Sequence, residues 1–342
     1  MIPDAMVKPV LPGVKWGARL RSLAAARETG VFLALIVMCV LLSLTTNSFL
    51  VVRNLLNVGR QISLLGIMAS GMTFVLIARE VDLSVGSTYA LVGLTTGMLI
   101  TRGWLLVPAL AVGLVLGVFV GTINGLLSTY GKLPSFIATL GMLSVIRGAA
   151  LLLTDGQPVT VDVSKGARSD VIDQFYYLGQ GHLFGIIPML LICFLVVAIA
   201  AYFVLAKTTF GFRVYAVGGS ARAAGLAGIN VYQTKISTFA LMGLLSGVAG
   251  ILSLAFLPSG QAGRTGAGLE LDVIAATIVG GASLSGGEGT ILGTTLGVLI
   301  IGVLRNGLVL LSISPFWQTT IIGLVILLAV GLDKWTEQQR RA

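Results

Sequence analysis

KTTFGFRVYAVGGSARAAGLAGINVYQTK, Lys207 to Lys235, is a basic, glycine- and alanine-rich break between two strongly apolar runs. Most other gaps in the chain are too short to hold a binding surface, so a partner working from this side of a membrane has its handle here. The runs on either side, 186 to 206 and 233 to 257, are long enough to be membrane helices, since about 20 apolar residues cross the hydrocarbon core at roughly 1.5 Å per residue. Working outward on the same criterion places further helices near 30 to 46, 55 to 78, 83 to 101, 104 to 127, 134 to 154, 271 to 285, 289 to 311 and 315 to 332, about ten in all. The expected fold is therefore an all-α polytopic membrane protein.

Composition agrees. The 342 residues are 56% hydrophobic and only 10% charged, and the mean hydropathy is +0.99, outside the soluble globular range. The 45 glycines suit lipid-embedded helices that pack closely. A net charge of +9 could suggest nucleic acid, but the basic residues are scattered through short connectors with no soluble domain around them. Cys39 and Cys193 both fall in apolar runs, which argues against a disulfide and against a metal site. Lys8, Lys15, Arg19, Arg21 and Arg27 precede the first apolar run, but no small-residue cleavage pattern follows it, so it reads as an uncleaved first helix.

Of the 22 Lys and Arg, five lie in loops on one side (Arg53, Arg102, Lys165, Arg168, Arg264) and three within spans (Arg60, Arg147, Arg305). The remainder fall on the other side, which predicts N-in and C-in topology. The chain then divides into a basic cytoplasmic tail at 1–29, one transmembrane domain at 30–335 and a short cytoplasmic tail at 336–342. Within the domain, 155–185 is the largest outside loop, 207–232 a cytoplasmic loop, and 270–289 a helix broken by glycines. SVIRGAALLL at 144 to 153 resembles GVLRNGLVLL at 302 to 311, but both run the same way through the membrane; low-complexity helix sequence accounts for the similarity better than an inverted repeat.

Polar groups inside the apolar field carry the functional reading. Arg79, Glu80 and Asp82 sit in LIAREVDLSVGS between two spans, where ionisable residues are costly unless paired, wet or part of a transport path. Asp82 can also cap the helix that begins near Ser84. Arg60, Asn124, Arg147, Arg305 and Asn306 could line a path or join helices. Several motifs are excluded. LSGGE at 284 to 288 mimics a nucleotide-cassette signature, but no G-x-x-x-x-G-K-[ST] phosphate loop accompanies it, so this polypeptide does not hydrolyse ATP by itself. His182 is the only histidine and has no nucleophile at a meaningful spacing, which leaves no catalytic set. AVGGSARAAGLAG lacks the spacing of a dinucleotide fingerprint.

Five segments together, IAREVDLSVGS, PSFIATLGMLSVIRGAALLLTDGQPV, GFRVYAVGGSARAAGLAGINV, GLELDVIAATIVGGASLSGGEGTILGTTLGVLIIGVLRNGLVLL and ILLAVGLDKW, resemble the permease subunit of bacterial ribose-type monosaccharide ABC importers over about residues 30 to 335. The resemblance implies a vitamin B12-type (type II) importer permease fold in the bacterial inner membrane. It implies a second permease chain, most simply a homodimer, a cytoplasmic ATPase with two cassettes, and an external sugar-binding protein. No cofactor is expected on this chain; ATP belongs to the partner. The family's ATPase-coupling segment falls on Tyr215, Gly218, Gly219, Ala223, Ala224, Gly228 and Ile229. The family's acidic residue after the double glycine is absent, since Ser220 is followed by Ala221 and Arg222, and its glycine-isoleucine before DLS is Glu80-Val81 here.

The expected mechanism is alternating access. Loaded binding protein docks on 155 to 185 and 258 to 270, and ATP-driven movement of the coupling segment switches the path. Asp82, Ser84, Asn124 and Thr139 are the candidate polar contacts along that path. The rival is an ion-coupled secondary transporter using Glu80, Asp82, Glu270 and Asp272.

Overall fold

The computed structural model describes residues 27–257, 259–314, 317, 320–325, 327, 328 and 331. The first 26 residues, eight of the eighteen residues of the tenth expected helix (315–332) and the tail 336–342 lie outside them. Among the described residues, seven helices are long and apolar enough to cross a membrane. They are α1 (Arg27–Thr45), α2 (Val52–Ile77), α4 (Leu106–Thr129), α5 (Ser135–Thr154), α7 (Met189–Lys207), α10 (Val231–Phe256) and α12 (Ile291–Leu310). Between them α3 (Val85–Thr101) has 17 residues and α11 (Leu269–Val279) only 11. The all-α, multi-pass reading holds, with one two-residue antiparallel pairing, His182–Leu183 with Ile187–Pro188, as the exception.

Two helices form the centre. The apolar windows of α2 and α10 are 83% and 72% buried, against 11% for α1 and 22% for α5 and α7, so the outer helices keep apolar faces that lipid would cover. α10 packs against α4, α3 and α2. Its contact with α4 is a seam of small residues: a Cβ on Gly121 would stand 2.1 Å from the Phe239 carbonyl oxygen, and one on Gly243 2.1 Å from that of Gly117. Backbones approach this closely only where side chains are absent, which is how helices associate in lipid.

The connection between α7 and α10, expected as a loop over 207–232, is two helices, α8 (Thr209–Gly219) and α9 (Ala221–Leu226). Thr208 caps α8 by accepting from the Gly211 N–H, and Ser220 caps α9 by accepting from Ala223. The helix expected over 271 to 285 stops at Val279, because Gly281, Gly286, Gly287 and Gly289 all take positive φ and carry the chain through a turn. At the opposite end of the bundle, 155–188 holds α6 (Ser169–Gln180), whose Val171 and Phe175 are buried among residues of α3, α4 and α10. Val159 and Gly260 pair through two backbone bonds of 2.8 and 3.0 Å, tying this segment to the one before α11.

Candidate coupling and translocation site

The break between α2 and α3 gathers the four predicted path residues. Irregular backbone inside a membrane must find its hydrogen bonds within the protein, and here side chains supply them. Ser135 Oγ accepts from the Val81 N–H at 3.2 Å and Thr139 Oγ1 from Leu83 at 3.0 Å, both from α5. Asp82 Oδ1 accepts from the Ser84 N–H at 2.8 Å and from its hydroxyl at 2.7 Å. Asn124 of α4 turns its amide N–H to Ser84 Oγ at 2.7 Å and to Asp82 Oδ2 at 3.3 Å. Asp82, Ser84, Asn124 and Thr139 are all buried. Asp82 thus closes a turn one residue ahead of the helix, whose first helical residue is Val85, instead of capping the helix proper.

The neighbouring Glu80, which with Val81 stands where the resemblance leads one to expect glycine-isoleucine, is buried and held at both oxygens. One accepts from Lys235 in the first turn of α10, and the other from Ser128 Oγ at 3.1 Å. Sequence reasoning missed this pair. Lys235 closed the basic break as one more positive charge, and nothing local pointed it at a residue 155 positions away. Asp272 likewise pairs with Arg305 at 2.5 Å, joining α11 to α12.

The predicted coupling residues separate by environment. Gly218 is buried: a Cβ there would stand 1.6 Å from the Ile77 carbonyl oxygen at the end of α2 and 2.7 Å from Gly287 N. Gly219 is exposed and open, with nothing within 4 Å of a Cβ position. Tyr215 is half-buried and donates its hydroxyl to the Gly289 carbonyl at 2.6 Å. Burial, then the nearby Glu28 carboxylate, pushes that phenol above its ordinary pKa. Ala223 and Gly228 are exposed, Ala224 is buried and Ile229 half-buried. Gly228 takes φ +83°, which lets Ile229 N–H reach back to the Ala224 carbonyl at 3.0 Å and end α9.

The LSGGE stretch supplies the floor beneath α8. Gly287 N–H donates to the Ile77 carbonyl at 2.9 Å, and a Cβ on Gly287 would lie 3.1 Å from the Gly219 Cα. Its glycines are there for close backbone approach, not for nucleotide. Leu226 at the end of α9 is 86% exposed, the most exposed large apolar side chain among the described residues. Its signal in the sequence was a lone Leu in a small-residue run.

The comparisons with known proteins agree with one another. The family model described as branched-chain amino acid transport system / permease component matches residues 54–330. The chain is 42% identical to the ribose import permease protein RbsC of Bacillus subtilis, over 90% of this chain and 93% of the relative. It is 38% identical to the L-arabinose ABC transporter permease protein AraH of Azospirillum brasilense, covering 99% and 95%. It is 32% identical to the xylose transport system permease protein XylH of Escherichia coli, covering 86% and 88%. No solved structure matches. A multi-pass helical bundle, aligned end to end with sugar permeases, belongs to the branched-chain amino acid transport system / permease component family.

Proposed function

We propose that this chain is the transmembrane permease subunit of an ATP-driven ABC importer for a monosaccharide, working in the bacterial inner membrane. The observation that carries the reading is the set of relatives whose names specify ribose, arabinose and xylose permeases, each aligned over most of both chains. In this reading the bundle is of the vitamin B12 type, with about ten helices and both termini inside. It works as a homodimer, with an external sugar-binding protein at 155–185 and a two-cassette ATPase at α8 and α9. ATP stays on the partner and this chain makes no covalent bond.

The path residues take defined roles. Asp82, Ser84, Asn124 and Thr139 form the polar wall where α2 gives way to α3. Tyr215, Gly218 and the 283–289 turn hold α8 rigidly on the end of α2, while Gly219, Ala223, Gly228 and Leu226 meet the ATPase. A push on α9 reaches the path through Lys235, which sits on the next helix and is paired with Glu80, two residues from Asp82.

The ion-coupled alternative finds little support in the same side chains. A cation-coupled carboxylate must exchange its partner in each cycle, whereas three of the four candidates, Glu80, Asp82 and Asp272, are held by Lys235, Ser84 with Asn124, and Arg305; only Glu270 keeps a buried oxygen without a hydrogen-bond partner among the described residues. The test is sugar uptake into cells under two treatments. Uptake should stop when ATP is depleted and persist when an ionophore collapses the proton and sodium gradients. The opposite pattern would hand the function to the secondary transporter.

A further inference from the structure

Away from the polar wall, a cavity of about 250 Å³ opens between α2, α3, α11 and α12. It is lined by Gln61, Ile62 and Leu65 from α2, Tyr89 from α3, Leu269 from α11, and Arg305 with its neighbours on α12. Gln61 is the tenth residue of a 26-residue span and Arg305 the fifteenth of a 20-residue span, so both lie well inside the membrane helices. Gln61 is exposed and has no hydrogen-bond partner among the described residues. The Arg305 side chain is 37% exposed although it pairs with Asp272. Polar groups at this depth face water, protein or a solute, because hydrocarbon cannot satisfy them.

We infer that this cavity is a transient binding station for one neutral monosaccharide on its way through the protein, an inference that rests on the permease reading above. Three observations select the ligand. The volume lies just under the roughly 300–1,000 Å³ of sites for drug-sized ligands, which suits a five- or six-carbon sugar. The Asp272 carboxylate neutralises Arg305, so the cavity offers no net charge to an anion such as a sugar phosphate. The lining is mixed in the way a sugar is mixed: the Tyr89 ring and the side chains of Ile62, Leu65 and Leu269 can meet the C–H face, while the Gln61 amide both donates and accepts and the guanidinium keeps free donors for hydroxyls. Two polar residues make a weak site. That suits a permease, whose intermediate stations must release as readily as they bind. Tyr89 lies five residues after Ser84, about 7.5 Å along the helix axis, so the station stands near the polar wall in depth.

The chain is reconstituted in lipid vesicles with its ATPase and binding protein, and labelled ribose, arabinose and xylose delivered per ATP hydrolysed is measured for Gln61→Leu and Leu269→Trp. The first removes the hydroxyl partner and the second fills the space. Both should lower sugar delivered per ATP at least fivefold, while hydrolysis stimulated by loaded binding protein stays within twofold of the unaltered complex. Unchanged delivery per ATP in both variants overturns the station alone. Should Leu269→Trp fail to assemble, Gln61→Leu decides the matter by itself, since it replaces an exposed side chain. An unaltered complex with no binding-protein-stimulated hydrolysis overturns the permease reading and the station together.

Discussion

Gly218 and Gly219 are chemically identical neighbours with opposite surroundings, and that difference is measurable. A methyl group on Gly218 would meet the Ile77 backbone oxygen at 1.6 Å, a clash that no side-chain rotation relieves. Gly218→Ala should therefore lift α8 from the end of α2 and abolish ATPase coupling, whereas Gly219→Ala, a single methyl in open space, should assemble and keep most of its coupling. Equal behaviour of the two variants in binding-protein-stimulated hydrolysis would refute this placement of α8. The Glu80–Lys235 pair, with Glu80 buried and Lys235 partly so, makes a second residue-scale prediction. Removing one member of such a pair strands the other charge at a cost of about 3–5 kcal/mol, while removing both is close to neutral. Lys235→Met should lower thermal stability in detergent sharply, and the double variant Glu80→Gln, Lys235→Met should recover most of the loss. Additive losses in the double variant would mean that the pair is not the interaction that holds these residues.

At the scale of elements, the α4–α10 seam and α9 make separate demands. Gly117 and Gly121 of α4 press on the backbone of α10, so Gly121→Val must force the two helices apart. Its expected consequence is a lower melting temperature without a change in which helices form, read by thermal unfolding and circular dichroism. An unchanged melting temperature would mean that the seam is looser than the geometry says. Leu226 contributes little to the fold, being almost wholly exposed. Leu226→Ser should leave melting untouched and weaken association with the ATPase several-fold in a pull-down titration; equal affinity would take Leu226 out of the interface. Of the element-scale features, only some were legible. Glycines four apart at 113, 117, 121 and 125 spell out a packing face, and the glycine cluster at 280–289 announced the end of α11. The α6 helix was readable too, in Val171, Phe175 and Gly179 spaced four apart, but its polar residues disguised it as loop. The division of 207–232 at Ser220 depends on cap bonds worth only about 1 kcal/mol each, too local to emerge from hydropathy.

For the molecule as a whole, long apolar runs are the strongest signal a sequence carries, since hydrocarbon leaves the backbone no alternative to helix. That is why the helices from 30 to 311 were found close to their observed limits, apart from the shortened α11. The polar wall was legible for the same reason: charged and hydroxyl residues stand out against an apolar field. What could not be read was which partners they choose. Lys235 with Glu80, Arg305 with Asp272 and Tyr215 with Gly289 each join residues far apart in the chain. Those links depend on how the helices assemble, which no local pattern encodes. In the reading proposed above, they tie α8 and α10 to the break at Asp82 as one mechanical unit. The most direct test of that unit is ATP hydrolysis by the chain in lipid with its ATPase and loaded binding protein, beside a Gly219→Asp variant. Gly219 is open to solvent, so the added carboxylate spares the fold and, on the proposed assignment, meets the ATPase. The account predicts strong stimulation by a sugar-loaded binding protein and its loss in the variant; stimulation that survives Gly219→Asp would contradict the assignment of α8 and α9 as the coupling surface.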